Sequence, residues 1–198
     1  MQNNSTIKAF LSGDYKSAIL QLDERLYPLE LAYAYFFEGN NSKALDLLSN
    51  LDSIRAKWLQ ELVNLMITNK MKSVTYFEIR NFLEIDIDLL IKAQKIDYLQ
   101  RLLAYSPELA KINTETYKFI GRILLNSNLM SLAKYYLDKY KDMVYFDPEL
   151  HFMYARYYIK EDDMENALVS IDNCLLAMPT YYPALELKKL IQTNIDKK

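Results

Sequence analysis

The sequence is poor in the residues on which most active-site chemistry and most tight turns depend. It contains one cysteine, Cys174, and one histidine, His151. A single thiol builds no internal disulfide framework and suits a reducing compartment. One imidazole and one thiol are also too few for a zinc cage. Three glycines (Gly13, Gly39 and Gly121) and five prolines serve all 198 residues, which is too little turn material for an all-β fold. There is no Gly-x-Ser-x-Gly elbow, no Gly-x-Gly-x-x-Gly turn and no lysine-bearing phosphate loop, so neither an enzyme nor a cofactor is expected. The formal charge is only −2 and no stretch is strongly basic, which removes the electrostatic footprint of a nucleic-acid binder. The amino terminus lacks a basic segment followed by an apolar run, and no uncharged run is long enough to span a bilayer. These absences predict a cytoplasmic protein with no membrane insertion, and Met1 and Lys197-Lys198 read as whole-gene termini.

Hydrophobic residues make up 51% of the chain and charged residues 25%, a balance that folds. Helical periodicity runs nearly from end to end. It is interrupted at Ser12-Gly13-Asp14, Gly39-Asn40-Asn41-Ser42, Asn69-Lys70, Asn126-Ser127-Asn128 and Glu161-Asp162-Asp163, which carry helix-stop and helix-start chemistry. Ser106-Pro107-Glu108 and Asp147-Pro148-Glu149 each place a capping oxygen before proline and an acid after it, so both predict a new helix. The resulting map has helices over 3–12, 14–25, 28–38, 42–51, 53–69, 73–84, 86–93, 96–105, 112–126, 129–142, 148–160, 163–177 and 181–195. Connections this short force successive helices to lie antiparallel, giving a row of helical hairpins.

The second half repeats. A shift of 34 residues superposes Ile120 on Tyr154, Gly121 on Ala155, Leu124 on Tyr158, Ala133 on Ala167, Leu137 on Ile171 and Tyr140 on Cys174. Small residues meet small ones where two helices would cross, and large ones fill the space beside them. With Pro179 near the end of the unit, this pattern resembles the tetratricopeptide repeat, most closely over 114–147 and 148–181. Gly13 with Ala18 and Leu22, and Gly39 with Ala44 and Leu48, look like the turn and second helix of similar units, although these alanines are only 26 apart. Leu99 and Leu103 keep the large position and lose the small one. The resemblance implies an all-α, right-handed solenoid of stacked hairpins, 1–198 as one continuous domain. Residues 182–195 then form a capping helix with Lys188, Lys189 and Gln192 toward solvent. The stretch from Asn69 to Ser73 is its least improbable hinge.

Several residues invite chemistry, and simpler roles fit them better. His151 occupies a variable first-helix position, and Cys174 stands where such repeats take a small apolar residue, so packing is expected of both. Glu84, Asp86 and Asp88 lack the glycine and ligand spacing of a calcium loop and read as an acid-rich helix start. Most of the 17 tyrosines are expected in the core, with a minority on a sticky surface. Proteins with such repeats line a concave groove with their first helices. Transferring those positions selects Glu149, Phe152, Arg156, Ile159 and Lys160 in one repeat and Glu115, Lys118, Arg122, Leu125 and Asn126 in the preceding one. Asp88, Ile91 and Lys92 follow in the 86–93 hairpin, with Tyr33 and Phe37 from the aromatic cluster. Arg122 and Arg156 fall in register, an array suited to a carboxylate or an acidic peptide segment.

A repeat scaffold without catalytic residues predicts a non-catalytic adaptor, chaperone-like protein or assembly factor that holds a protein or peptide in this groove. A structural subunit of a larger complex, a homodimer and the helical accessory region of an enzyme remain open as alternatives. A peptide-sensing regulator of DNA is disfavoured, because no helix-turn-helix unit with a basic recognition face is present.

Overall fold

The computed structural model describes residues 3–144 and 146–195, and among these it contains twelve α-helices and no strand. In chain order they are α1 (Asn3–Leu11), α2 (Tyr15–Gln21), α3 (Pro28–Phe37), α4 (Asn41–Ser49), α5 (Ile54–Thr68) and α6 (Tyr76–Lys92). There follow α7 (Ile96–Ile112), α8 (Thr116–Asn126), α9 (Met130–Lys141), α10 (Pro148–Lys160), α11 (Met164–Ala177) and α12 (Tyr182–Ile195). The chain divides into two compact units, Met1–Thr116 and Tyr117–Lys198. Within the first unit, α1 packs on α2, α3 on α4, α6 on α7, and α5 lies against α4, α6 and α7. Within the second, α10 packs on both α9 and α11, and α12 covers α11.

One turn geometry recurs at five hairpins. Gly13, Gly39, Gln94, Asn128 and Asp162 all have φ between 55° and 80°. In each case the next residue, which precedes the second helix, donates its N–H to a carbonyl in the last turn of the first helix. These bonds are Asp14 to Ala9, Asn40 to Tyr35, Lys95 to Leu90, Leu129 to Leu124 and Asp163 to Tyr158, at 2.8–2.9 Å. This left-handed closure satisfies a carbonyl that would otherwise lack a donor and reverses the chain at once. Five residues after each left-handed residue comes Ala18, Ala44, Leu99, Ala133 or Ala167, and nine after comes Leu22, Leu48, Leu103, Leu137 or Ile171, all of them buried. Gly121 shows how closely the paired helices approach, since a Cβ there would lie 2.6 Å from Leu137 Cδ2 and 2.8 Å from its Cγ.

Three expectations are corrected. The boundary at Ser106-Pro107-Glu108 does not exist, because α7 runs through Pro107. Proline takes away the N–H that the Leu103 carbonyl would have received, and the buried Ser106 hydroxyl donates to that carbonyl instead, at 2.6 Å. The chain breaks instead at Asn113, whose Oδ1 accepts the Glu115 N–H at 2.9 Å. Nor do 73–84 and 86–93 form two helices. A capping box of Thr75 and Glu78 starts one continuous α6. Asp86, read as a helix-start acid, is instead buried in mid-helix, where it accepts from the Tyr33 hydroxyl at 2.8 Å, from both terminal nitrogens of Arg55 at 2.7 and 2.9 Å, and from the Trp58 indole.

Asp86 thereby joins α3, α5 and α6 within the first unit. Burial pushes its carboxyl above the usual carboxylate range, while Arg55, Tyr33 and Trp58 pull the other way. The cluster is worth more as a fixed joint than as net electrostatic gain. The stretch 69–73 is also held inside this unit, with the Met71 N–H donating to the Tyr105 hydroxyl at 3.3 Å.

Two substitutions test this packing. Asp86→Ala strands the Arg55 guanidinium, only 18% exposed, and should cost about 3 kcal/mol in urea unfolding, with a shift in Trp58 fluorescence. Gly121→Ala gains roughly 1 kcal/mol of helix propensity, yet must displace the fully buried Leu137. A net loss of about 1 kcal/mol is expected by the same measurement.

Candidate functional site

The predicted groove residues separate into those the structure brings together and those it does not. Tyr33 and Phe37 are core side chains, 4% and 1% exposed. Tyr33 is bonded to Asp86, and Phe37 packs against Tyr15, Tyr33 and Phe36 at ring separations of 4.6–5.7 Å. They offer no surface to a partner, because the apolar face of α3 is the face its neighbours cover. Leu125, expected in the groove, is also fully buried. Asp88 and Lys92 are an exposed ion pair one turn apart on α6, an arrangement worth a few tenths of a kcal/mol.

The remaining positions converge in the second unit. Lys118, Arg122 and Asn126 lie one turn apart along α8, and Phe152, Arg156 and Lys160 do the same along α10. At one end Asp147 caps α10, accepting the N–H of Glu149 at 2.8 Å and of Leu150 at 3.4 Å. Its second oxygen receives Lys118 Nζ and the Tyr140 hydroxyl, both at 2.9 Å. Lys118 also lies 3.3 Å from Glu149, and Glu149 in turn pairs with Arg122. Lys118 is buried, so its charge is spent inside the protein. Half a helix further on the pairing changes character: Arg156 donates to the Asn126 amide oxygen at 2.9 Å, and Lys160 to that of Asn128.

The predicted cation array therefore contracts. Lys118 and Arg122 face carboxylates, whereas Arg156 and Lys160 face neutral amides, which orient a cation without cancelling it. Next to them Phe152 is half buried, its ring 5.4 Å from that of Tyr181. Register between the two helices was readable from the repeat. The neutralising role of Asp147 was not, although its capping role was, because the sequence does not say that the Lys118 side chain reaches across to it.

His151 and Cys174 are both buried. Burial raises the Cys174 thiol to about 11, with Asp147 adding to the shift, so the thiolate is scarce at neutral pH. Among the described residues no three His, Cys, Asp or Glu side chains gather as a metal cage. No described helix is long and apolar enough to cross a membrane.

Asp147 makes stability depend on pH. Burial alone would raise its carboxyl, but Lys118, Tyr140 and the Glu149 N–H outweigh that and hold it below the ordinary value. A depressed folded pKa stabilises above the unfolded value of about 4 and is lost as pH falls through the folded one. Asp147→Asn should cost about 2 kcal/mol at pH 7, where it leaves the buried Lys118 with only Glu149, already shared with Arg122, as counter-charge. Urea unfolding of the two proteins should converge toward pH 3 and below. No family model, curated protein or solved structure matches the chain.

Proposed function

We propose that the chain is a tetratricopeptide-like helical-repeat protein, a right-handed solenoid closed by α12, that acts in the cytoplasm as a non-catalytic protein-binding module. It holds an acidic or carboxylate-bearing segment of another protein against the shared face of α8 and α10, as an adaptor or assembly factor does. The observation that carries this reading is the pair Arg156 and Lys160, oriented by the amides of Asn126 and Asn128 and not neutralised by them. Such cations can form charge-assisted bonds to a carboxylate at little further cost in side-chain order. Phe152 and Tyr181 supply apolar contact beside them. The five shared hairpin turns and the alanines at four of their crossings support the repeat assignment.

A second reading, a structural subunit or homodimer, is favoured by α6, whose Phe77 and Ile85 lie about two turns apart and are 67% and 49% exposed. Light scattering of the purified protein separates the two, since a concentration-independent dimer lost in Phe77→Ser, Ile85→Ser favours the subunit.

For the binding module, affinity capture from the native lysate is compared between wild type and Arg156→Glu, Lys160→Glu, with helicity checked by circular dichroism. A specific partner should be lost from the charge-reversed protein, and recovery should fall about tenfold or more. Equal recovery by both proteins removes this face as the interface.

A further inference from the structure

The first unit carries a cavity of about 420 Å³ where the turn between α1 and α2 stands over the last turn of α6. Small-molecule sites usually span about 300–1,000 Å³. Phe10, Leu11 and Gly13 line one side, Leu89 and Lys92 the other, and Tyr15 completes the lining. A Cβ built on Gly13 would meet no atom within 4 Å, so the turn itself leaves the space open. The walls are mainly apolar, and Leu11 stands 74% exposed at the rim, where water gains little by covering it.

One polar group in this lining lacks a partner. Tyr15 is only 8% exposed, with its ring packed 4.6 Å from that of Phe37 and 5.8 Å from that of Phe10. Its hydroxyl makes no hydrogen bond among the described residues. Nor is it sealed in, since the one side-chain oxygen or nitrogen among them that is both fully enclosed and unpartnered is Asn41 Oδ1. The hydroxyl therefore opens on the cavity that Tyr15 lines. Burial raises its pKa above the ordinary value, so it stays neutral and keeps a proton to donate. A polar group this buried ordinarily has a partner.

Charge around the cavity is balanced. Lys92, its one ionised lining residue, is paired with Asp88 at 2.5 Å. The Ser12 hydroxyl already donates to the Ala9 carbonyl at 3.0 Å. Helices α1 and α6 both end here, and carbonyl ends disfavour an anion. The apolar walls equally disfavour a bare cation.

We propose that this cavity binds a small, uncharged, largely hydrocarbon molecule carrying one hydroxyl or carbonyl group, which pairs with the Tyr15 hydroxyl while its body lies against Phe10, Leu11 and Leu89. The proposal is independent of the protein-binding reading, since neither Arg156 nor Lys160 belongs to this site.

Calorimetric titration of the full chain with octan-1-ol, and separately with octanoate, tests this. Saturable binding of the alcohol with a Kd of about 0.1 mM is expected. Octanoate at neutral pH should bind about tenfold more weakly or worse, because its carboxylate is desolvated without a free counter-charge. Tyr15→Phe keeps the ring and should weaken the alcohol about fivefold. The same variant should leave the urea midpoint unchanged, because the hydroxyl has no protein partner to lose. Leu11→Ser, at an exposed position, removes apolar wall and should weaken binding severalfold. No saturation below about 1 mM octan-1-ol, octanoate binding as tightly as the alcohol, or equal affinity in the two variants would overturn the proposal. A lowered urea midpoint in Tyr15→Phe would assign the hydroxyl to the fold and overturn it as well.

Discussion

The constraint on which the rest depends is the left-handed residue between the two helices of each hairpin. With φ near +60° to +80°, one residue reverses the chain and lets the following N–H reach a carbonyl five positions back. The second helix must then begin beside the end of the first. An alanine five residues on is carried to the crossing, and a leucine or isoleucine nine on to the flank. Side-chain size at these positions follows from backbone geometry and not from general hydrophobicity. Where glycine faces Leu137, the approach is tight enough that a single methyl does not fit. Where Leu99 replaces the alanine, the same turn serves a crossing built from larger groups.

How much of this was legible depended on whether a residue's role is local. Glycine at 13 and 39 announces a left-handed turn, as do the polar clusters at Asn128 and Asp162, because those side chains tolerate positive φ. Gln94 adopts the same conformation without any such preference, and the hairpin of α6 and α7 was accordingly the least clear. Asp147-Pro148 read correctly, since a cap and a first-turn proline act within one turn of chain. Ser106-Pro107 carries the same local signal and means the opposite, because the serine hydroxyl turns back to Leu103 and repairs the bond that proline deletes. Local rules cannot separate those two outcomes.

Asp86 fails in a different way. Its three partners come from positions 33, 55 and 58, so nothing near it in sequence distinguishes it from Glu84 or Asp88. Its presence also explains why Tyr33 is absent from any surface, since the tyrosine hydroxyl is the donor that a buried carboxylate requires. A groove assignment drawn from the aromatic cluster had no means of seeing this, because α5, which lies outside the recurring hairpins, supplies Arg55 and Trp58.

Charge in the second unit is partitioned by partner type. Carboxylates at 147 and 149 neutralise Lys118 and Arg122, and that end of α8 and α10 is fixed by ion pairs that include a buried lysine. Replacing Asp147 by an amide would leave the buried lysine oriented but with only Glu149, which Arg122 shares, as its counter-charge, and in a buried site that is destabilising. At the exposed end the chain uses that arrangement, with Asn126 and Asn128 facing Arg156 and Lys160. Water there solvates the residual charge, so the cost is small and the cations stay electrically available. The same two helices are thus joined by acids where the pairing is buried and by amides where it is exposed, and only the second kind of joint leaves charge with which an outside carboxylate can pair.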